Sequence, residues 1–347
     1  MPSAEGSIGA KGTPTHPTRS RPLTPGVYVP TPAFFNDDAL ESLDLTTLAR
    51  HAVRLAHAGV TGLAVQGSNG EAVHLTDSER AAVIKTTRKA LDEAGYKSMP
   101  LIVGTGAQST MQTIELCRQA AEYGGDAVLV LPPGYYQGLF DNGTVVSFFK
   151  EVADASPLPV LVYNYPGAVA GLDLNSDLLV KLGREHPNIV GAKFTCGNTG
   201  KLGRVASAFG NKKQMAGKGG STNGTHHSSP ATDFLCFAGS GDFMIPALST
   251  GAAGVIGGIA NVAPKAVVKL YQAFKNGQHE EAERLQQVIA RGDWTAIQSG
   301  IIGVKVCLQD YEGYGGWARK PLPRPEGDSR KKIVEGFKEL MDLEKSI

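Results

Sequence analysis

Cysteine is sparse in this 347-residue chain. Its four cysteines, Cys117, Cys196, Cys236 and Cys307, are scattered, with no C-x-x-C spacing and mostly apolar neighbours. They read as reduced, buried thiols rather than a disulfide framework or a metal site. An excess of either charge is also lacking. With 34 Lys and Arg against 33 Asp and Glu, the formal net charge is +1. Nothing therefore draws the chain to nucleic acid or to an anionic membrane surface. No apolar run is long enough to span a bilayer. No G-x-G-x-x-G follows the first strand-like run, which argues against a doubly wound dinucleotide-binding sheet. The eight histidines are not grouped with carboxylates as metal ligands. His226 and His227 sit together without a Cys or carboxylate and read as solvated loop residues. No metal or organic cofactor is implied.

Residues 1–24 are rich in Ser, Thr, Pro and Gly, with Lys11, Arg19 and Arg21 against a single Glu5. They read as a disordered arm. A mitochondrial transit peptide is also basic and acid-poor, but Pro14, Pro17, Pro22 and Pro25 would interrupt the amphipathic helix it needs. The expected compartment is the cytoplasm, with the mitochondrion as the alternative.

From Pro25 onward short apolar runs alternate with helical patterns. The runs are Gly26–Pro30, Gly62–Gly67, Pro100–Gly104, Asp126–Leu131, Pro159–Tyr163, Ile189–Thr195, Asp233–Ala238 and Gly254–Ile259. Between them lie amphipathic stretches such as Leu45, Leu48, Ala49, Ala52, Leu55, Ala56, which has i, i+3, i+4, i+7 spacing. Thr76-Asp-Ser-Glu79 is a capping box that opens another. Eight strand–helix units with near-continuously apolar strands predict a parallel (β/α)8 TIM barrel over residues 25–277. Beyond it, helices expected near Glu280–Arg291, Thr295–Leu308 and Lys331–Lys345 form a C-terminal helical extension over 278–347. Residues 217–230 (GKGGSTNGTHHSSP) are low in complexity and read as an insertion on the N-terminal face, away from the strand ends that carry chemistry in such barrels.

Four strand ends stand out. After the second strand, Gly67-Ser68-Asn69-Gly70-Glu71 offers a hydroxyl and backbone N–H groups at a tight turn, an arrangement suited to a carboxylate. The fifth ends in Tyr163, whose phenol can move a proton. The sixth carries Lys193 in the otherwise apolar run Val190–Thr195. Lysine is rarely buried, and desolvation favours the neutral amine that attack on a ketone requires. The alternative is a strand-end lysine that reaches solvent. The eighth ends in Gly254-Val-Ile256-Gly-Gly258, followed by Asn261; its glycines leave room for a ligand or for tight packing.

In order and spacing these segments resemble the dihydrodipicolinate synthase / N-acetylneuraminate lyase family of Schiff-base lyases and aldolases. The likeness covers about Gly26 to Pro323. It rests on Gly67–Glu71 with Leu75-Thr76 and Glu79-Arg80 after it, Tyr135-Tyr136, Tyr163-Asn-Tyr-Pro166, Lys193, and Gly254-Val-Ile256 through Asn261-Val-Ala-Pro264. The resemblance implies a Schiff base between Lys193 and a 2-oxo acid, proton transfer by Tyr163, and a carboxylate held by Ser68 and Asn69. It implies a pocket lined by the backbone around Ile256, and a tyrosine, Tyr136 or else Tyr135, that reaches into a neighbouring subunit's site. It further implies a homotetramer built from tight dimers.

Departures from the family pattern narrow the activity. Dihydrodipicolinate synthases have two threonines where Ser68 and Asn69 stand, and an arginine soon after the fifth-strand tyrosine. Here Gly167-Ala-Val-Ala170 offers no cation. The string Gln66–Glu71 instead resembles 4-hydroxy-2-oxoglutarate aldolases. The opening Pro25–Pro30 and the segment Lys193–Asn198 resemble fungal members, some of which cleave 2-keto-3-deoxy sugar acids such as 2-keto-3-deoxy-L-galactonate. The expected activity is cleavage of a 4-hydroxy-2-oxo acid, first 4-hydroxy-2-oxoglutarate, to pyruvate and an aldehyde. A condensing synthase or a non-catalytic barrel scaffold are the other readings.

Overall fold

The apolar runs become eight short strands: β1 (Gly26–Pro30), β2 (Gly62–Val65), β3 (Leu101–Gly104), β4 (Ala127–Val130), β5 (Val160–Asn164), β6 (Ile189–Phe194), β7 (Leu235–Ala238) and β8 (Gly254–Ile256). They pair in parallel in chain order, and β8 returns to β1, closing a barrel. A computed structural model describes residues 21–210 and 234–347. The predicted insertion at 217–230 and most of the predicted N-terminal arm lie outside the described residues. Arg21, the first described residue, donates to the Lys97 carbonyl and pairs with Asp126 at 3.0 Å.

Alternation along each strand sends side chains to two separate cores. Tyr28, Ala64, Ile102, Leu129, Leu161, Tyr163, Phe237 and Ile256 fill the barrel interior. Val27, Val29, Leu63, Val103, Val162 and Phe194 face outward, where the helices cover them. That double burial explains why the strands read as unbroken apolar runs. Closure demands one glycine outright: a Cβ on Gly254 would lie 1.8 Å from the Gly26 carbonyl oxygen.

Eight helices follow the strands: α1 (Leu45–His57), α2 (Asp77–Glu93), α3 (Thr110–Glu122), α4 (Asn142–Ala155), α5 (Ser176–Glu185), α6 (Thr199–Gly210), α7 (Met244–Ser249) and α8 (Pro264–Lys275). The Thr76–Glu79 capping box forms as expected, each residue's side chain accepting from the other's backbone N–H.

The C-terminal helical part differs from expectation in its breaks. One long run, α9 (His279–Glu312), crosses the stretch at 292–294 where an interruption was expected, and it kinks instead at Gly300, with φ 60° and ψ −152°. Gly292, inside that stretch, packs against Leu340 of α10 (Gly327–Ser346), where a Cβ would come within 2.5 Å of its side chain. Among the described residues, no helix is long and apolar enough to cross a membrane.

Candidate active site

Register places the two reactive candidates side by side. Tyr163 on β5 pairs with Lys193 on β6, which pairs with Phe237 on β7. All three lie on neighbouring strands near their C-terminal ends. Lys193 is only 3% exposed, so it does not reach solvent. Its Nζ donates to the Tyr163 hydroxyl at 3.3 Å and lies 4.3 Å from the centre of that ring. No carboxylate among the described residues pairs with it. A buried amine whose one side-chain partner is a phenol is poised for proton exchange with it, and for attack on an electrophile that enters the barrel mouth.

The phenol's surroundings pull two ways. Burial pushes the Tyr163 pKa up, but the adjacent Lys193 charge, the Lys193 hydrogen bond and the nearby Ser68 and Thr195 hydroxyls outweigh it, and the net direction is downward. Tyr165 stacks on Tyr163 with centroids 5.8 Å apart and holds the ring in place. Thr195, the residue after β6, was not anticipated from sequence. Its hydroxyl is buried near the phenol, favours the phenolate, and makes no hydrogen bond of its own. A hydroxyl beside a catalytic-type pair has no sequence signal beyond lying two residues from the lysine.

Ser68 and Asn69 sit in the turn that follows β2. The turn is tight: Gly70 N–H and Ala72 N–H both donate to the Gly67 carbonyl, and Glu71 N–H donates to the Ser68 carbonyl. Two non-glycine residues with left-handed backbone bracket it, Gln66 at φ 59° and Glu71 at φ 48°. Each costs about 1–3 kcal/mol unless its surroundings hold it. The Gln66 side chain donates to the Arg80 carbonyl at 2.5 Å. Glu71 is held by the ion pair with Lys305 at 2.6 Å. Asn69 also reaches the end of β8: a Cβ on Gly258 would lie 2.8 Å from its Nδ2, so a side chain there would push the amide aside. Ile256 itself is fully buried in the interior cluster with Tyr163, and Gly257 N–H donates to the Tyr28 carbonyl.

The structure thus brings Lys193, Tyr163 and Ser68 together, with Asn69 and the Ile256–Gly258 segment alongside. Tyr136 is not among them. It is 60% exposed, edge-on to Tyr135 at 4.9 Å, on a loop that Gln108 fixes by accepting from Gly134 N–H and Tyr135 N–H.

The turn after β7 adds an acidic pair. Asp293 on α9 is fully buried and accepts from the Ser240 hydroxyl at 2.5 Å and from Gly241 N–H at 2.7 Å. Burial pushes its pKa up to about 6 against those hydrogen bonds. Asp242 is likewise raised by burial, and its Oδ1 is buried without a partner. Among the described residues, no group of three His, Cys, Asp or Glu side chains is placed to hold a metal ion.

Comparison with known proteins agrees with this architecture. The model of the dihydrodipicolinate synthetase family matches residues 26–340. A protein of Emericella nidulans named "Probable 4-hydroxy-2-oxoglutarate aldolase, mitochondrial" is 48% identical, over 94% of this chain and 98% of its own length. An L-threo-3-deoxy-hexylosonate aldolase of Hypocrea jecorina is 47% identical, over 93% and 98%. The crystal structure of a dihydrodipicolinate synthase family protein from Coccidioides immitis superposes with a TM-score of 0.80 at 33% identity, covering 95% of this chain and all of that one. From the barrel, the order of its motifs and these relatives, the chain belongs to the dihydrodipicolinate synthetase family.

Proposed function

We propose that this protein is a Schiff-base aldolase that cleaves a 4-hydroxy-2-oxo acid to pyruvate and an aldehyde. The observation that carries the reading is the buried Lys193 amine 3.3 Å from the Tyr163 hydroxyl at the catalytic end of the barrel. The Lys193 amine adds to the C2 ketone, and Tyr163 supplies the proton that lets water leave, giving an imine. The protonated imine draws electrons from C3. The Tyr163 phenolate takes the C4 hydroxyl proton, which breaks the C3–C4 bond, releases the aldehyde and leaves the enamine of pyruvate; Tyr163 then has a proton to return to C3. Protonation at C3 and hydrolysis return free Lys193. Ser68 and Asn69, with the N–H groups of their turn, hold the substrate's C1 carboxylate, and the Ile256–Gly258 backbone walls the pocket.

The first substrate we assign is 4-hydroxy-2-oxoglutarate, supported by the name of the Emericella relative. A second reading, an L-threo-3-deoxy-hexulosonate, is favoured by Asp242. A carboxylate with a buried, unpartnered oxygen at the β7 turn suits a sugar hydroxyl better than a second carboxylate. Incubating the enzyme with each acid and measuring pyruvate decides. Pyruvate from 4-hydroxy-2-oxoglutarate alone supports the first assignment, and pyruvate from the six-carbon acid alone supports the second. Release from neither would leave the aldolase reading without support.

We further propose a homotetramer of tight dimers in which Tyr136 completes the neighbour's site. The exposure of the adjacent Tyr135 and Tyr136 supports this, since it leaves both rings free to meet a second copy. The compartment we assign is the cytoplasm. The Emericella relative is named mitochondrial, and localisation of the tagged chain tests the assignment: a mitochondrial signal overturns it.

A further inference from the structure

The C-terminal helical part reaches the candidate site through two buried contacts, one on the turn after β2 and one on the turn after β8. The first ends on Glu71, the last residue of the Ser68–Asn69 turn. Its Oε1 accepts from Lys305 Nζ of α9 at 2.6 Å. Its Oε2 accepts from Arg319 N–H at 2.9 Å, and His74 Nδ1 lies 3.2 Å away. Lys305 also donates to the Trp317 carbonyl at 2.9 Å and sits 4.6 Å over the Phe35 ring. Both side chains of the ion pair are 1% exposed. Arg319 binds Glu79 through two nitrogens and donates to the His74 carbonyl, tying the far side of the same turn.

The second contact runs through Tyr314. Its hydroxyl meets His51 Nδ1 at 2.8 Å, and His51 Nε2 meets Asn261 Oδ1 at 3.0 Å. Asn261 Nδ2 donates to the carbonyls of Pro30 and Gly258 at 2.9 Å each. Gly258 faces Asn69, close enough that a Cβ on it would lie 2.8 Å from the Asn69 amide. The segment 305–319 thereby grips both the β2 turn and the β8 turn, and these two turns meet each other.

We infer that Glu71 and Lys305 are positioning residues, and that segment 305–319 sets the affinity of the site for the 2-oxo acid's carboxylate. The physical reason is the left-handed backbone at Glu71. The turn's N–H groups point at one place only while that conformation holds, and the buried ion pair is what holds it. A carboxylate cradle displaced by a fraction of an ångström loses its ligand before it loses its nucleophile, because Lys193 and Tyr163 stand on different strands.

The inference rests on the Schiff-base reading, and the test separates the two. Pyruvate is titrated with borohydride present, and the concentration giving half-maximal labelling of Lys193 is measured. Wild type is compared with the double variant Glu71→Met/Lys305→Met, which removes the ion pair without leaving a buried charge behind. The expected result is a rise of about tenfold or more in the half-labelling concentration, with the labelling rate at saturating pyruvate within about threefold of wild type. A folded double variant that labels at the wild-type concentration overturns the inference. A variant that loses labelling rate at saturation instead also overturns it, because the pair would then act on the chemistry. If the double variant does not fold, Tyr314→Phe carries the test. It leaves the ion pair intact and is expected to raise the half-labelling concentration about threefold; a wild-type value overturns the inference. Wild type that never labels refutes the Schiff base itself.

Discussion

Two lysines are buried in this molecule in opposite ways. Lys193, in the barrel, has a phenol as its side-chain partner. Lys305, in the C-terminal part, has a carboxylate, a backbone carbonyl and an aromatic face. Both are almost wholly shielded from water. A buried ammonium that keeps a counter-ion and hydrogen bonds is satisfied and inert, whereas one left with a single neutral partner retains its reactivity at a cost in stability. The comparison teaches that the partner set separates the structural lysine from the candidate nucleophile, and burial does not.

The largest effect that could break this distinction is on turnover. Lys193→Ala should lower kcat by at least about 10⁴-fold while the far-UV circular dichroism stays native, since the nucleophile is lost outright. Tyr163→Phe should lower it by about 10²–10⁴-fold, the span for loss of a positioned acid–base group. A rate close to wild type in Tyr163→Phe would remove the proton-transfer role and leave Lys193 without its one partner's purpose.

Stability should respond in the opposite sense. Lys305→Met strands Glu71 in the interior and should cost about 3–5 kcal/mol in chemical denaturation. Lys193→Met removes a buried amine that has no counter-ion and should cost nothing, or gain roughly 1 kcal/mol. Equal losses in the two variants would erase the comparison.

A buried acid sharpens it further. Asp293 has only neutral donors and titrates at about 6 in the folded protein, against 3.8 for the ordinary side chain. Folded protein therefore holds this proton more tightly than unfolded chain. The stability it confers is complete below pH about 4 and is lost as pH rises through about 6, by about 3 kcal/mol at most. Denaturation of wild type and Asp293→Asn across that window should show the slope in the first and its absence in the second.

The strands were legible because burial on both faces writes them as continuous apolar runs, and Lys193 was legible because a charge interrupts one of them. Lys305 and Asp293 left no such trace. Each lies on a long amphipathic helix where a charged residue is ordinary, and only tertiary packing turns it inward. The kink at Gly300 was hidden for a related reason: the expected break lay at 292–294, where the chain instead stays helical and Gly292 packs against Leu340. Glu71 was visible as part of a motif, while its partner lies 234 residues away. Tyr136 was visible as one of a pair, and its assigned role needs a second copy of the chain.

The central claim is the covalent one, and trapping tests it most directly. Wild-type protein incubated with pyruvate and borohydride should gain one reduced pyruvyl group per chain, and peptide mapping should place it on Lys193. An unchanged intact mass, or an adduct on Lys305 or any other lysine, would contradict the account.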